Sequence, residues 1–142
     1  MRSKALLVSN ILATVYSACL LFIFGGAVIQ AGGTSALYAI GEYFRSAFEL
    51  LDLVGISLSL LTVLYVFFVL LCIHVALFVF GGLIGWISYA GKRSGGAKFA
   101  AVLYLLGTIC FPLYLYFGLP ITIVGFIGGG KQKEINKAAK EA

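Results

Sequence analysis

The sequence predicts an all-α integral membrane protein with four membrane segments, the last two a short Pro-containing hairpin, plus an amphipathic interfacial helix in the first outer loop. Three observations carry this. The 142-residue chain is 62% hydrophobic and 11% charged, with a mean hydropathy of +1.10, whereas a soluble domain is about half apolar and about a quarter charged. Its charges stand only at the ends of long apolar runs. Those runs have the lengths of membrane segments. A core of this size cannot hide so much apolar surface, because small domains leave a large share of their surface outside. Composition therefore excludes a soluble globular domain, a disordered chain and a disulfide-stapled secreted module.

The first segment, residues 6–29, carries no charge. At about 1.5 Å per residue it is roughly 36 Å long, enough to cross a bilayer with some tilt. A signal peptide would have an apolar region of only about 7–15 residues and a good small-x-small cleavage site; this run is longer and offers no good site, so it is expected to stay as a membrane segment. Gly32 and Gly33 break this helix, and Thr34 or Ser35 can cap the next. Over residues 35–52, Leu37, Ile40, Phe44, Phe48 and Leu51 recur at spacings of three and four. Glu42, Arg45, Glu49 and Asp52 take the other faces. This helix is too polar to span. It lies in the outer interface with its apolar face down, or packs across the top of the bundle by the same face.

Residues 53–90 again carry no charge. Two crossings would need a polar turn near the middle, and none is present, so one helix of roughly 57 Å is expected. Gly81, Gly82 and Gly85 are places where it can bend. Trp86 and Tyr89 beside Lys92 and Arg93 form an interfacial anchor. A tight basic turn follows, then an apolar run over 99–127 interrupted by Pro112 and Pro120. One crossing would place the basic tail opposite the basic turn, which the positive-inside rule disfavours. Two short passes, 97–111 and 113–130, keep both on one side. Pro120 then suits the first turn of the last helix, where a missing N–H is harmless. Each arm is at or below the usual spanning length, which a thinned bilayer or a partly re-entrant hairpin accommodates.

The charges group as +2 (Arg2, Lys4), −2 (Glu42, Arg45, Glu49, Asp52), +3 (Lys92, Arg93, Lys98) and +2 over the tail 131–142. This pattern predicts a single membrane domain over 1–142 with both termini cytoplasmic. The tail is expected to be solvated and to continue the last helix. A bacterial plasma membrane fits the short loops. The basic residues flank membrane segments, and no basic stripe or stacking face accompanies them, so nucleic acid is not expected as a partner.

Small residues recur at four-residue spacing: Ser9, Ala13 and Ser17; Gly55 and Ser59; Gly81 and Gly85; Gly125 and Gly129. In lipid, helices associate through close packing that small residues permit. Such faces serve either the bundle of one monomer or association with a partner or a second copy. Asn10, Thr14 and Ser17 give the first segment a modest polar face, as Ser57, Ser59 and Thr62 do in the long helix. His74 is the lone intramembrane ionisable residue apart from tyrosines and cysteines, and its i±3 and i±4 neighbours are Leu70, Leu71, Leu77 and Phe78. With no acid nearby it reads as a neutral, hydrogen-bonded packing histidine rather than a proton relay or metal ligand. Cys19, Cys72 and Cys110 stand alone in separate segments and read as small buried hydrophobes.

No GxxxxGK[ST], HExxH or GxSxG occurs. The sequence thus points to no catalytic residue, cofactor, metal or small-molecule substrate. Its expected partners are the bilayer and a membrane protein or a second copy. The reading is a non-catalytic accessory or regulatory subunit. The alternatives are a self-assembling, holin-like pore and a small transporter or channel subunit.

Overall fold

A computed structural model describes residues 2–30 and 60–141. They form α1 (Lys4–Gln30), α2 (Leu60–Ala90), α3 (Ser94–Cys110) and α4 (Leu115–Glu141), with a 3-10 turn at Pro112–Tyr114. No strand occurs among the described residues. Three stretches, Lys4–Ile23, Val66–Ala90 and Pro112–Glu141, are long and apolar enough to cross a membrane, and α3 is a shorter apolar helix. The expected interfacial helix over 35–52, with Leu37, Ile40, Phe44, Phe48 and Leu51, lies outside the described residues, as do Gly55 and Ser59.

The helix ends follow from local chemistry. Ser3 caps α1, its Oγ accepting from the Leu6 N–H at 3.4 Å. α2 ends in a Schellman turn, with Arg93 N donating to Ser88 O at 2.8 Å and Lys92 N to Tyr89 O at 3.4 Å. The left-handed residue of that turn is Lys92 (φ 54°), a position where glycine is at ease and a Cβ is crowded. Lys92→Gly is therefore expected to stabilise the fold by about 1 kcal/mol, read as a raised midpoint of thermal unfolding in detergent. An unchanged or lower midpoint would mean that the lysine side chain compensates for its own backbone strain.

α3 stops at Cys110 because Phe111 precedes a proline, and that position disfavours helix. The first-turn role expected for Pro120 belongs to Pro112, which opens the 3-10 turn. Pro120 instead lies inside α4. With Pro112–Tyr114 already helical in sense, the helix effectively begins earlier than the second proline.

Every adjacent pair of helices runs antiparallel, and the packing closes into a ring: α1 on α2, α2 on α3, α3 on α4 and α4 on α1. Each helix turns one narrow row inward. The buried positions include 3, 6, 10, 13, 17 and 20 leading into and along α1; 71, 74, 78, 81, 85 and 88 in α2; 97, 101, 104, 108 and 111 leading out of α3; and 118, 121, 125, 128 and 132 in α4, with 9, 82, 100, 107, 122 and 129 buried beside them. These alternating steps of three and four are the seam of a left-handed four-helix bundle. The inward rows are mostly small or polar, while Phe22, Ile23, Phe80, Ile87, Ile109 and Tyr116 face outward and are well exposed. A bundle with its bulkiest apolar side chains outside is built for lipid rather than water. Cys19 and Cys72 are exposed on that outer surface, not buried as their apolar setting suggested.

The charged end of α4 belongs to the bundle for longer than its composition suggests. Gln132 is fully buried. Its Oε1 accepts from Ser3 N at 2.9 Å, and its Nε2 donates to Asn136 Oδ1 at 2.8 Å. Asn136 Nδ2 in turn donates to Lys92 O at 2.8 Å. The start of α1, the α2–α3 turn and the last turns of α4 are thereby tied together at one end. Arg2 joins them, its guanidinium 5.2 Å from the centre of the Tyr89 ring.

Candidate functional site

The one ionisable imidazole lies at the centre of the opposite half of the bundle. α2 carries His74 on its inward row, where it is fully buried at 0% exposure. Its Nδ1 is 2.7 Å from Gly107 O. A carbonyl only accepts, so Nδ1 carries the hydrogen and donates. The neutral ring then presents a lone pair at Nε2, and the Tyr16 hydroxyl donates to it at 2.8 Å. Gly107 O also accepts from Phe111 N at 3.2 Å, so His74 helps to satisfy the carbonyl end of α3. One side chain on α2 thus joins α1 to α3.

Aromatic rings close around this pair. Phe78 lies 4.8 Å from His74 between ring centres, Tyr114 stacks at 5.8 Å and Phe111 lies at 5.9 Å. Tyr16 packs edge-on to Phe78 at 4.9 Å and stacks on Phe117 at 6.0 Å. Phe111 and Tyr114 come from the α3–α4 turn, so the proline that ends α3 also delivers two rings to the histidine. Both imidazole nitrogens are engaged, which leaves neither free for a metal. No group of three or more His, Cys, Asp or Glu side chains able to hold a metal occurs among the described residues. The arrangement is a fixed-tautomer hydrogen-bonded cross-link. A proton added at Nε2 would turn its acceptor into a donor and displace the Tyr16 hydroxyl from its role.

The small residues singled out by spacing that lie among the described residues face inward. Ser9 is buried and its Oγ donates to Ile121 O at 3.0 Å. Ala13 packs in the core with Phe78, Ala100, Tyr104 and Ile121. Ser17 is buried with no hydrogen-bond partner for its hydroxyl. Gly81 lies under the Tyr104 ring, Gly85 under Asn10 and Tyr104, Gly125 against Ala101 and Ser9, and Gly129 against Lys98. All of these contacts are within the chain. Spacing of four missed four further close approaches: Gly96 on Ser88, Gly107 on Phe78, Gly118 on Thr108, and Gly128 on the backbone of Leu6. The run Gly128-Gly129-Gly130 was the available signal for the last. Trp86, expected to anchor at the interface, donates its indole N–H to Thr14 Oγ1 at 2.8 Å.

The outer surface has a concave region near the aromatic end. It is a groove of about 480 Å³ between α1 and α4, lined chiefly by Leu12, Val15, Cys19, Ile23, Phe117 and Pro120. Tyr114 and Tyr116 complete its aromatic edge. Compared with known protein families, with curated proteins and with solved structures, the chain matches none.

Proposed function

We propose that the chain is a non-catalytic accessory or regulatory membrane protein that packs on a membrane helix of a larger partner. The groove between α1 and α4 carries this reading. The small-residue faces among the described residues are taken up inside the bundle, and the groove is a concave surface open to a partner. It is apolar and aromatic, and it opens at the outer surface of the bundle. In this reading all four helices cross the bilayer, with α3 and α4 as the short hairpin. Arg2, Lys4, Lys92, Arg93, Lys98 and the tail lysines share one end, which the positive-inside rule assigns to the cytoplasm of a bacterial plasma membrane. The segment over 35–52 then lies on the outer face as an interfacial helix.

Cys19 lines the groove and is exposed, so it reports on the occupant. In a Cys72→Ser, Cys110→Ser background, a photoreactive maleimide on Cys19 is expected to capture one membrane protein in native membranes. Val15→Trp, which fills the groove, is expected to abolish the capture, and purified partner is expected to restore it with the unblocked chain. Adducts only between two copies would replace the partner with a homo-oligomer. Adducts indifferent to Val15→Trp would refute the groove as the docking face.

A further inference from the structure

We propose that Asn10 and Tyr104 hold a buried water molecule against Gly85. Asn10 on α1 and Tyr104 on α3 are each 1% exposed. Among the described residues, neither carboxamide atom of Asn10 has a hydrogen-bond partner, and nor does the Tyr104 hydroxyl. Both groups converge on the same bare stretch of α2. A Cβ built on Gly85 would lie 3.2 Å from the Tyr104 hydroxyl and in collision with the Asn10 carboxamide. The side chain that glycine lacks is thus replaced by two polar groups aimed at one spot. One turn earlier, Gly81 lets the Tyr104 ring lie against α2, within 3 Å of where its own Cβ would be.

The chemistry selects the ligand. Asn10 offers two donors and two acceptors, and the phenol one donor and an acceptor oxygen. Water can give to one and take from the other, and buried waters typically serve groups left unpaired in this way. No charged side chain lies against the pair to call for an ion. The nearest described imidazole, His74, is engaged by Tyr16 and Gly107 and is screened by Phe78, which stacks on Tyr104 at 5.3 Å. α1 and α3 are diagonal in the ring and their backbones stay apart, so the water is their polar link across α2 beside the apolar core of Ala13 and Tyr104.

X-ray radiolysis of the detergent-solubilised protein tests this, because hydroxyl radicals form from bound water and mark the side chain beside it. In ¹⁸O water, Tyr104 is expected to take up labelled oxygen while Phe78, fully buried and in the same core, does not. Gly85→Ala, whose methyl collides with the Asn10 carboxamide and drives it from the water, is expected to reduce the labelling severalfold. A second variant stands independently of how Gly85→Ala folds. If the hydroxyl bonds to water, Tyr104→Phe lowers the unfolding midpoint; if it is bare, removing it raises the midpoint. An unlabelled Tyr104, or a raised midpoint in Tyr104→Phe, would overturn the proposal.

Discussion

Gly128→Ala is expected to destabilise the protein by about 2–3 kcal/mol, measured by thermal unfolding in detergent followed by circular dichroism. A Cβ at this position would lie 2.6 Å from Leu6 N and 2.7 Å from Leu6 Cα. Both are backbone atoms, so no rotamer change relieves the clash and α1 must move away from α4. That motion also stretches the bond from Ser9 Oγ to Ile121 O and the one from Ser3 N to Gln132 Oε1. Gly130 is the internal control. A Cβ there meets nothing within 4 Å, so Gly130→Ala is expected to gain about 0.5–1 kcal/mol from helix preference alone. A loss of similar size at both glycines would show that α1 does not rest on α4 at residue 128.

His74→Phe is the second large effect. A flat aromatic ring is kept, though a larger one, but the Tyr16 hydroxyl loses its acceptor and Gly107 O loses one of its two donors. A buried polar group left without a partner costs about 1–3 kcal/mol. Tyr16→Phe added to His74→Phe removes the stranded hydroxyl and is expected to recover part of that loss. Between membrane helices such a coupling is about 1 kcal/mol. A double variant whose losses simply add would mean that the two side chains do not bond, and that His74 acts through packing alone.

How much of this bundle can be read beforehand depends on the kind of signal each element carries. The charge groups fixed the helix ends well: α1 and α2 end near the expected places, and the basic turn joins α2 to α3. Charge also indicated the hairpin, and the turn at Pro112–Tyr114 lies where the two arms were expected to meet. Hydropathic periodicity carries little signal in the described helices, for a physical reason. In water, the inward row of a helix is its apolar row. Here α1 buries Ser3, Ser9, Asn10 and Ser17 while Val8, Ile11 and Val15 face out, so the repeat is one of size and not of hydropathy. Searching for small residues four apart found Gly125 and Gly129 but passed over Gly128, because the seam steps by three and four in alternation. The environment of His74 was half legible. Sequence showed that no acid stood beside it, but its partners Tyr16 and Gly107 are remote along the chain and no local pattern marks them. The uncapped pair Asn10 and Tyr104 was beyond reach for the same reason.

The Ser3–Gln132 bond has a consequence for how the protein is made. Synthesis runs from α1 to α4, so the surface on which α1 finally rests is produced last. Until Gly128 arrives, Leu6 has no glycine to lie against, and Ser9 has no carbonyl from Ile121. During that interval the polar row of α1 faces either lipid or the insertion machinery. The order of manufacture thus makes the newborn first helix the least secured part of the growing protein. A ribosome that stalls before Gly118 would leave it held by α2 alone, an incomplete product for quality-control proteases to recognise.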